Sequence, residues 1–168
     1  MEFTLEAVTV DRKEILRNLL EKYFYEFSQY DALDVNPLGL YGYGYLDEYW
    51  TKEGRWAFFL KADGKLAGFA MVIDHPEAGD EADYSMAEFF VMYKYRRCGL
   101  GRWAAYQLFD RFKGLWQLKR TPRNESSVIF WDKVVGGFTG GNFKLESRAD
   151  IAYDDGTPAD LFTFRTDR

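Results

Sequence analysis

Residues 88–112 read Glu88-Phe89-Phe90-Val91-Met92-Tyr93-Lys94-Tyr95, then Arg96-Arg97-Cys98-Gly99-Leu100-Gly101, then Arg102-Trp103-Ala104-Ala105-Tyr106-Gln107-Leu108-Phe109-Asp110-Arg111-Phe112. The first block is apolar and aromatic, as a strand is. The last carries its apolar residues at helical spacing, and a basic turn with two glycines joins them. Gly99 and Gly101 have no side chain to hold a ligand away from the backbone, and a helix leaves its first N–H groups unpaired and attractive to anions. Arg96, Arg97 and Arg102 add positive charge around that concavity. A phosphate-bearing ligand suits such a cradle, although glycines before a helix also serve a turn alone. A dinucleotide fingerprint is not met, because no third glycine follows at the required spacing and no strand–helix repetition precedes the turn. A P-loop also fails, since no Gly-Lys-Ser or Gly-Lys-Thr closes the loop.

The 168 residues fit one domain spanning 1–168, and 47% hydrophobic residues, 19% of the chain being aromatic, suffice for a core. A net charge of −5 and a pI near 5.0 argue against nucleic acid as the main partner, since a phosphate backbone needs a basic face. One cysteine, Cys98, excludes an internal disulfide and a cysteine zinc cluster, and one histidine, His75, speaks against an ordinary metal site. No apolar stretch of membrane-spanning length and no signal-like start are present, which reads as a soluble cytoplasmic protein without a membrane partner.

In chain order, Phe3 to Val10 suggests a strand, and Asp11 with Glu14 a capped helix start. Ile15, Leu16, Leu19, Leu20, Tyr23, Phe24 and Phe27 then form one buried helical stripe. Residues 28–50 break into aromatic, glycine and acidic residues, including Tyr30, Tyr41 and Tyr43. Such rings either line a substrate cleft or cover an edge of the core. Trp56–Ala62 and Lys65–Ile73 flank Asp63-Gly64, a strong hairpin signal. An acidic loop leads to the central strand, and the helix after Gly99 buries Leu100, Ala104, Leu108 and Phe112. A short strand, Leu115–Lys119, follows. A further helix enters at Thr121–Asn124, carries Val128, Ile129, Trp131, Val134 and Val135, and stops at Gly136-Gly137. Residues 143–151 and 160–165 close the chain as a hairpin.

The run Arg96 to Gly101 resembles the acyl-coenzyme-A-binding signature of the GNAT superfamily of N-acetyltransferases: Arg or Gln, two free positions, Gly, one free position, then Gly or Ala, after a central strand. The order of elements resembles that family over most of the chain, least over residues 28–50. The resemblance implies an α/β (α+β) fold, with a mixed, mostly antiparallel sheet of about seven strands splayed at the centre and flanked by about four helices. It also implies acetyl-CoA as cofactor. Its pyrophosphate would lie on the backbone of Arg97, Cys98, Gly99, Leu100, Gly101 and Arg102, and its pantetheine arm on Phe90, Val91 and Met92, where a splayed strand offers free N–H and C=O groups. Arg96, Trp103, Asn124 and Trp131 are placed beside the cofactor on the same ground. Asn124 is equally well a helix cap.

Seven residues after Asn124 many family members have a tyrosine that protonates the departing thiolate. Here that position is Trp131, whose indole N–H gives up no proton at useful pH. Coenzyme A would then leave as a thiolate or take its proton from another tyrosine, among Tyr84, Tyr93, Tyr95 and Tyr106. An amine must be neutral to attack, so a base is needed, and Glu88 is the candidate. It alternates with Phe90 and Met92 on one face of an apolar run, where a charge without purpose or partner is costly. A structural ion pair is the alternative. Tyr30, Tyr41 and Tyr43, with Glu88, are candidates for binding the acceptor. Cys98 lacks a histidine partner and reads as a loop residue with an incidental thiol rather than a nucleophile. The acidic residues between Asp31 and Glu48 and from Glu77 to Asp83 either focus a cationic acceptor or form a solvated surface. The resulting expectation is acetyl transfer from acetyl-CoA to a primary amine of a small molecule or peptide, by direct attack in a ternary complex; a homodimer is compatible with it. The alternative is a non-catalytic acyl-CoA-binding sensor or interaction module on the same fold.

Overall fold

The computed structural model describes residues 1–79 and 81–167. Strand β1 (Phe3–Ala7) is followed by a 3-10 turn at Val10–Arg12 and helix α1 (Lys13–Phe27). Asp11 lies within that turn and no described side chain caps α1, so the expected capping box is not formed. A long connection with a short helix α2 (Glu48–Thr51) leads to β2 (Arg55–Ala62) and β3 (Lys65–Ile73). Their hairpin turns on Asp63 and Gly64 with φ of 49° and 73°, the positive pair that a type I′ turn requires.

Strand β4 (Tyr84–Val91) ends sooner than its composition suggests. Met92 is already outside it, and Tyr93–Tyr95 form a 3-10 turn. Helix α3 (Leu100–Arg111), strand β5 (Leu115–Arg120), helix α4 (Glu125–Thr139) and strands β6 (Phe143–Ala152) and β7 (Pro158–Arg165) complete the chain. Gly136-Gly137 does not stop α4, which runs on to Thr139 and ends where Gly140 takes φ 63°. A Cβ on Gly137 would lie 2.6 Å from the Tyr106 hydroxyl, so this glycine serves the close approach of α3 to α4. Of the apolar residues on α4, Ile129 is 56% exposed.

The seven described strands form one open sheet in the order β1-β2-β3-β4-β5-β7-β6. Neighbours are antiparallel except β4 and β5, which run parallel. On one face Phe58, Leu60, Val72, Leu118 and Phe162 share a core with Leu108 and Phe109 of α3 and with Val134 and Val135 of α4. Ala104 and Ala105 of α3 are fully buried in the same core, small enough to let the helix lie close on the sheet. On the other face Leu16, Leu19 and Leu20 of α1, with Leu46 and Tyr49, cover Phe59, Phe69, Met71 and Phe90.

Two local features shape the centre of the sheet. Met71 pairs with Glu88 and Val72 with Met86, so Ala87 is an extra residue, a bulge that breaks the alternation along β4. A Cβ on Gly68 of β3 would lie 2.0 Å from the Phe90 carbonyl oxygen, so β3 admits only glycine beside this part of β4. Beyond Ser85, β4 and β5 part company. They are laddered only at Tyr84–Trp116 and Ser85–Gln117, while β5 continues along its whole length against β7. Among the described residues no helix is long and apolar enough to cross a membrane.

Candidate active site

The basic turn sits at the C-terminal end of β4. Gly99 takes φ 91° as the residue before α3, with open space where a Cβ would stand, and no described side chain caps the helix. The first N–H groups of α3 are therefore without intrahelical partners. Arg97 (φ 61°) and Arg102 are exposed and enter no ion pair with a described residue. Gly101 has a second duty, because a Cβ there would come within 2.9 Å of the Phe130 ring of α4. Leu100 is fully buried in the core, and Trp103 packs on Phe3 of β1. The Cys98 thiol donates to the Tyr95 carbonyl, and His75 lies in another loop beside Asp74.

Arg96 does not add its charge to this cradle. Its guanidinium donates to both carboxylate oxygens of Glu26 on α1, at 2.8 and 2.6 Å, and its Nε to the Val91 carbonyl at 2.7 Å. The same group lies over the Tyr93 ring. Arg96 thus ties the turn to α1 and to the end of β4. Of the strand positions expected to meet the cofactor arm, Phe90 is buried under α1, Val91 gives its carbonyl to Arg96, and the Met92 N–H donates to the Ala67 carbonyl at 2.9 Å.

The divergence of β4 and β5 opens a cleft of about 310 Å³. Met86 to Phe89 of β4, Gln117 to Arg120 of β5, Asn124 and Trp131 at α4, Tyr23 and Phe27 of α1, and Tyr153 line it. Asn124 caps α4, its Oδ1 accepting from the Ser127 N–H at 3.1 Å, and it also lines the cleft. Trp131 is buried, with its ring 5.1 Å from that of Phe89. The acidic lining residues Asp31, Glu77, Glu88 and Asp154 outnumber the basic Lys119 and Arg120. Both bases are already paired, Lys119 with Glu77 and Arg120 with Asp132 and Asp160. Its electrostatics therefore favour cations.

Glu88 stands on the α1 face of the sheet, partly covered and open to the cleft. Burial pushes its carboxyl up to about 7, against the pull of hydrogen bonding with the Tyr23 hydroxyl. Glu77 raises it further, and Lys119 and Tyr43 hold it down. Tyr23 and Tyr43 are in turn pushed above the ordinary tyrosine range, first by burial and then by Glu88, so both remain protonated donors.

Of the acceptor-binding candidates, none of Tyr30, Tyr41 and Tyr43 lines the cleft; Tyr43 interacts with Glu88 from behind it and packs on Phe24, and the Tyr41 N–H is held by Glu21. None of Tyr84, Tyr93, Tyr95 and Tyr106 lines it either. The tyrosines that do are Tyr23 and Tyr153. In the sequence Tyr23 is legible only as a core position of α1, and Tyr153 only as a residue near a hairpin turn. Asp31 is visible there as an acidic residue; its fixed position comes from accepting the Asp155 N–H across 124 residues.

A family model described as Acetyltransferase (GNAT) family matches residues 13–136. No curated protein sequence matches. Among solved structures, the fold is similar to that of an acetyltransferase from Thermus thermophilus, with a TM-score of 0.64 at 17% identity over 98% of this chain and 97% of that one. It is similar also to the ribosomal-protein-S18-alanine N-acetyltransferase from Escherichia coli, with a TM-score of 0.64 at 16% identity over 99% and 96% of the two chains. A third is the spermidine N-acetyltransferase from Vibrio cholerae, solved with CoA and spermine, with a TM-score of 0.65 at 12% identity over 98% and 95%. With its splayed sheet and its family match over residues 13–136, the chain belongs to the GNAT family of acetyltransferases.

Proposed function

We propose that the protein is an N-acetyltransferase that moves an acetyl group from acetyl-CoA to a cationic primary amine, with Glu88 as the base. The observation that carries this reading is Glu88 itself, a carboxylate with its pKa raised to about 7 that faces the cleft opened by β4 and β5. The uncapped start of α3, the exposed Arg97 and Arg102 and the open space at Gly99 suit an anionic pyrophosphate. Beyond Ser85, β4 has backbone groups not laddered to β5, which suit an amide-bearing arm.

Acetyl-CoA, when bound, supplies the acyl group as a thioester, whose carbon the amine attacks and whose thiolate departs, taking up the second proton that the nitrogen sheds once the C–N bond has formed. The amine arrives protonated, as its pKa near 10 dictates, and is drawn by the acidic lining. Glu88 in its carboxylate form takes the amine proton, leaving the nitrogen lone pair free to form the new C–N bond. Tyr23, kept protonated, donates to the carboxylate and orients it. Trp131 contributes packing rather than a proton. Two structural neighbours are named for their amine acceptors, spermidine in one and a ribosomal-protein alanine in the other, and an amine of either kind is a cation in water.

The test is release of free thiol from acetyl-CoA across a panel of primary amines. Turnover that Glu88→Gln reduces by about two orders of magnitude or more supports the assignment; turnover unchanged in that variant removes Glu88 as the base. A second reading, an acyl-CoA-binding protein without catalysis, is favoured by Trp131 and by the position of Tyr84, Tyr93, Tyr95 and Tyr106 outside the cleft lining. It predicts stabilisation by acetyl-CoA with no thiol release on any amine.

A further inference from the structure

Gln117 is 1% exposed, lines the cleft, and its Nε2 has no hydrogen-bond partner among the described residues. A buried amide donor left without an acceptor is destabilising, because its lost hydration is not replaced. A chain under no other constraint would carry an apolar residue here.

Its position says what it faces. Gln117 is the last residue of β5 laddered to β4, opposite Ser85, and so stands where the two strands separate. Its neighbours Trp116 and Leu118 turn into the core beneath α3 and α4, which puts Gln117 on the opposite face. That is the face of Glu88, whose strand partner Met71 belongs to the core under α1. From Ser85 to Glu88 is two ladder steps once the bulged Ala87 is discounted, roughly 7 Å along the strand. Glu88 and Gln117 therefore lie within the span of one small molecule, one able to take a proton and the other holding an unused donor.

We propose that Gln117 is a specificity-determining residue, whose side-chain amide donates to a hydroxyl or carbonyl oxygen that the acceptor carries a few bonds from its amine. The inference rests on the acetyl-transfer reading above. The cleft's aromatic lining, Tyr23, Phe24, Phe27 and Tyr153, fits an acceptor with a ring. A pocket that hydrogen-bonds an oxygen rejects the analogue lacking it far more strongly than an apolar pocket rejects a missing methylene.

The test compares 2-phenylethylamine with phenylethanolamine and phenylalaninamide, which add one hydroxyl or one carboxamide to the same skeleton. In the parent protein, kcat/KM is expected to favour at least one oxygenated amine by about tenfold or more. In Gln117→Met that advantage, read as the ratio of oxygenated to plain amine, should fall to about twofold, through KM on the oxygenated amine. The ligand-free variant should melt at the same temperature as the parent or higher, because an unpaired donor has been replaced by an apolar group of similar length. Equal kcat/KM for the three amines in the parent overturns the inference, as do equal losses on all three in the variant, or inactivity of all three beside turnover of other amines. A variant melting several degrees lower overturns it too, since the amide would then be paired within the fold. Failure of the underlying reading looks different: no amine of any kind releases thiol, and the inference falls with it.

Discussion

Arg96 and Glu26, 70 residues apart, meet through two hydrogen bonds of 2.8 and 2.6 Å, and so the arginine that opens the glycine turn is spent on holding the turn against α1. The pair is partly exposed, at 34% and 19% of the side chains, which limits its worth. Glu26→Ala is expected to lower stability by about 1–2 kcal/mol, read from urea unfolding, because bidentate geometry and a guanidinium left with one acceptor are lost together. Acetyl-CoA binding should weaken several-fold through loss of order in the turn. Arg96→Lys should not match the parent in either measurement, since an ammonium cannot span both carboxylate oxygens.

Glu88 makes stability depend on pH. Its folded-state pKa, about 7, lies above the ordinary 4.5, so the folded protein binds this proton the more tightly. Stability is then fully present below about pH 4.5 and is lost as pH rises through 7, by about 3 kcal/mol at most. Glu88→Gln, which stays neutral, should be more stable than the parent at about pH 8 and close to it at about pH 4.5, by thermal melts in the two buffers. Activity runs the other way: kcat/KM should climb with pH through about 7 as the carboxylate forms, and Glu88→Gln should lack that limb.

Arg97 and Arg102 are exposed and form no ion pair with a described residue. Replacing both with alanine should weaken acetyl-CoA binding by about tenfold or more and flatten its salt dependence, while the melting temperature of the ligand-free protein stays within about 2 °C of the parent. A large loss of stability would instead give these side chains a role within the fold.

Gly68 should tolerate no side chain. The 2.0 Å approach to the Phe90 carbonyl oxygen is to backbone, which cannot rotate away, so Gly68→Ala should cost about 3 kcal/mol or displace the C-terminal end of β4, next to the cleft-lining Phe89. The Gly101 contact is milder because the Phe130 ring can yield: Gly101→Ala should be recovered in part by Phe130→Leu, measured as a double-mutant cycle in urea.

Much of this protein is legible in local patterns. The Asp63-Gly64 turn, the α1 and α3 stripes and the passage from the basic turn into a helix at Arg96 to Gly101 all depend on neighbours in the chain and take their expected form, while the strand before that turn ends early at Val91. Boundaries are less legible where a residue type has two uses. Gly136-Gly137 reads as a stop, but Gly137 makes room for Tyr106; Asp11 reads as a cap, but falls in a 3-10 turn.

The sequence by itself determined the order of elements, the faces of the helices and the presence of an anion-attracting turn, because periodicity and turn chemistry act over a few residues. Only the tertiary structure decided which side chains share the cleft. Tyr23 at Glu88, Glu26 on Arg96 and Gln117 at the strand divergence all follow from which strands stay paired and which separate. That is settled by packing on two faces of one sheet, between residues that the chain order keeps far apart.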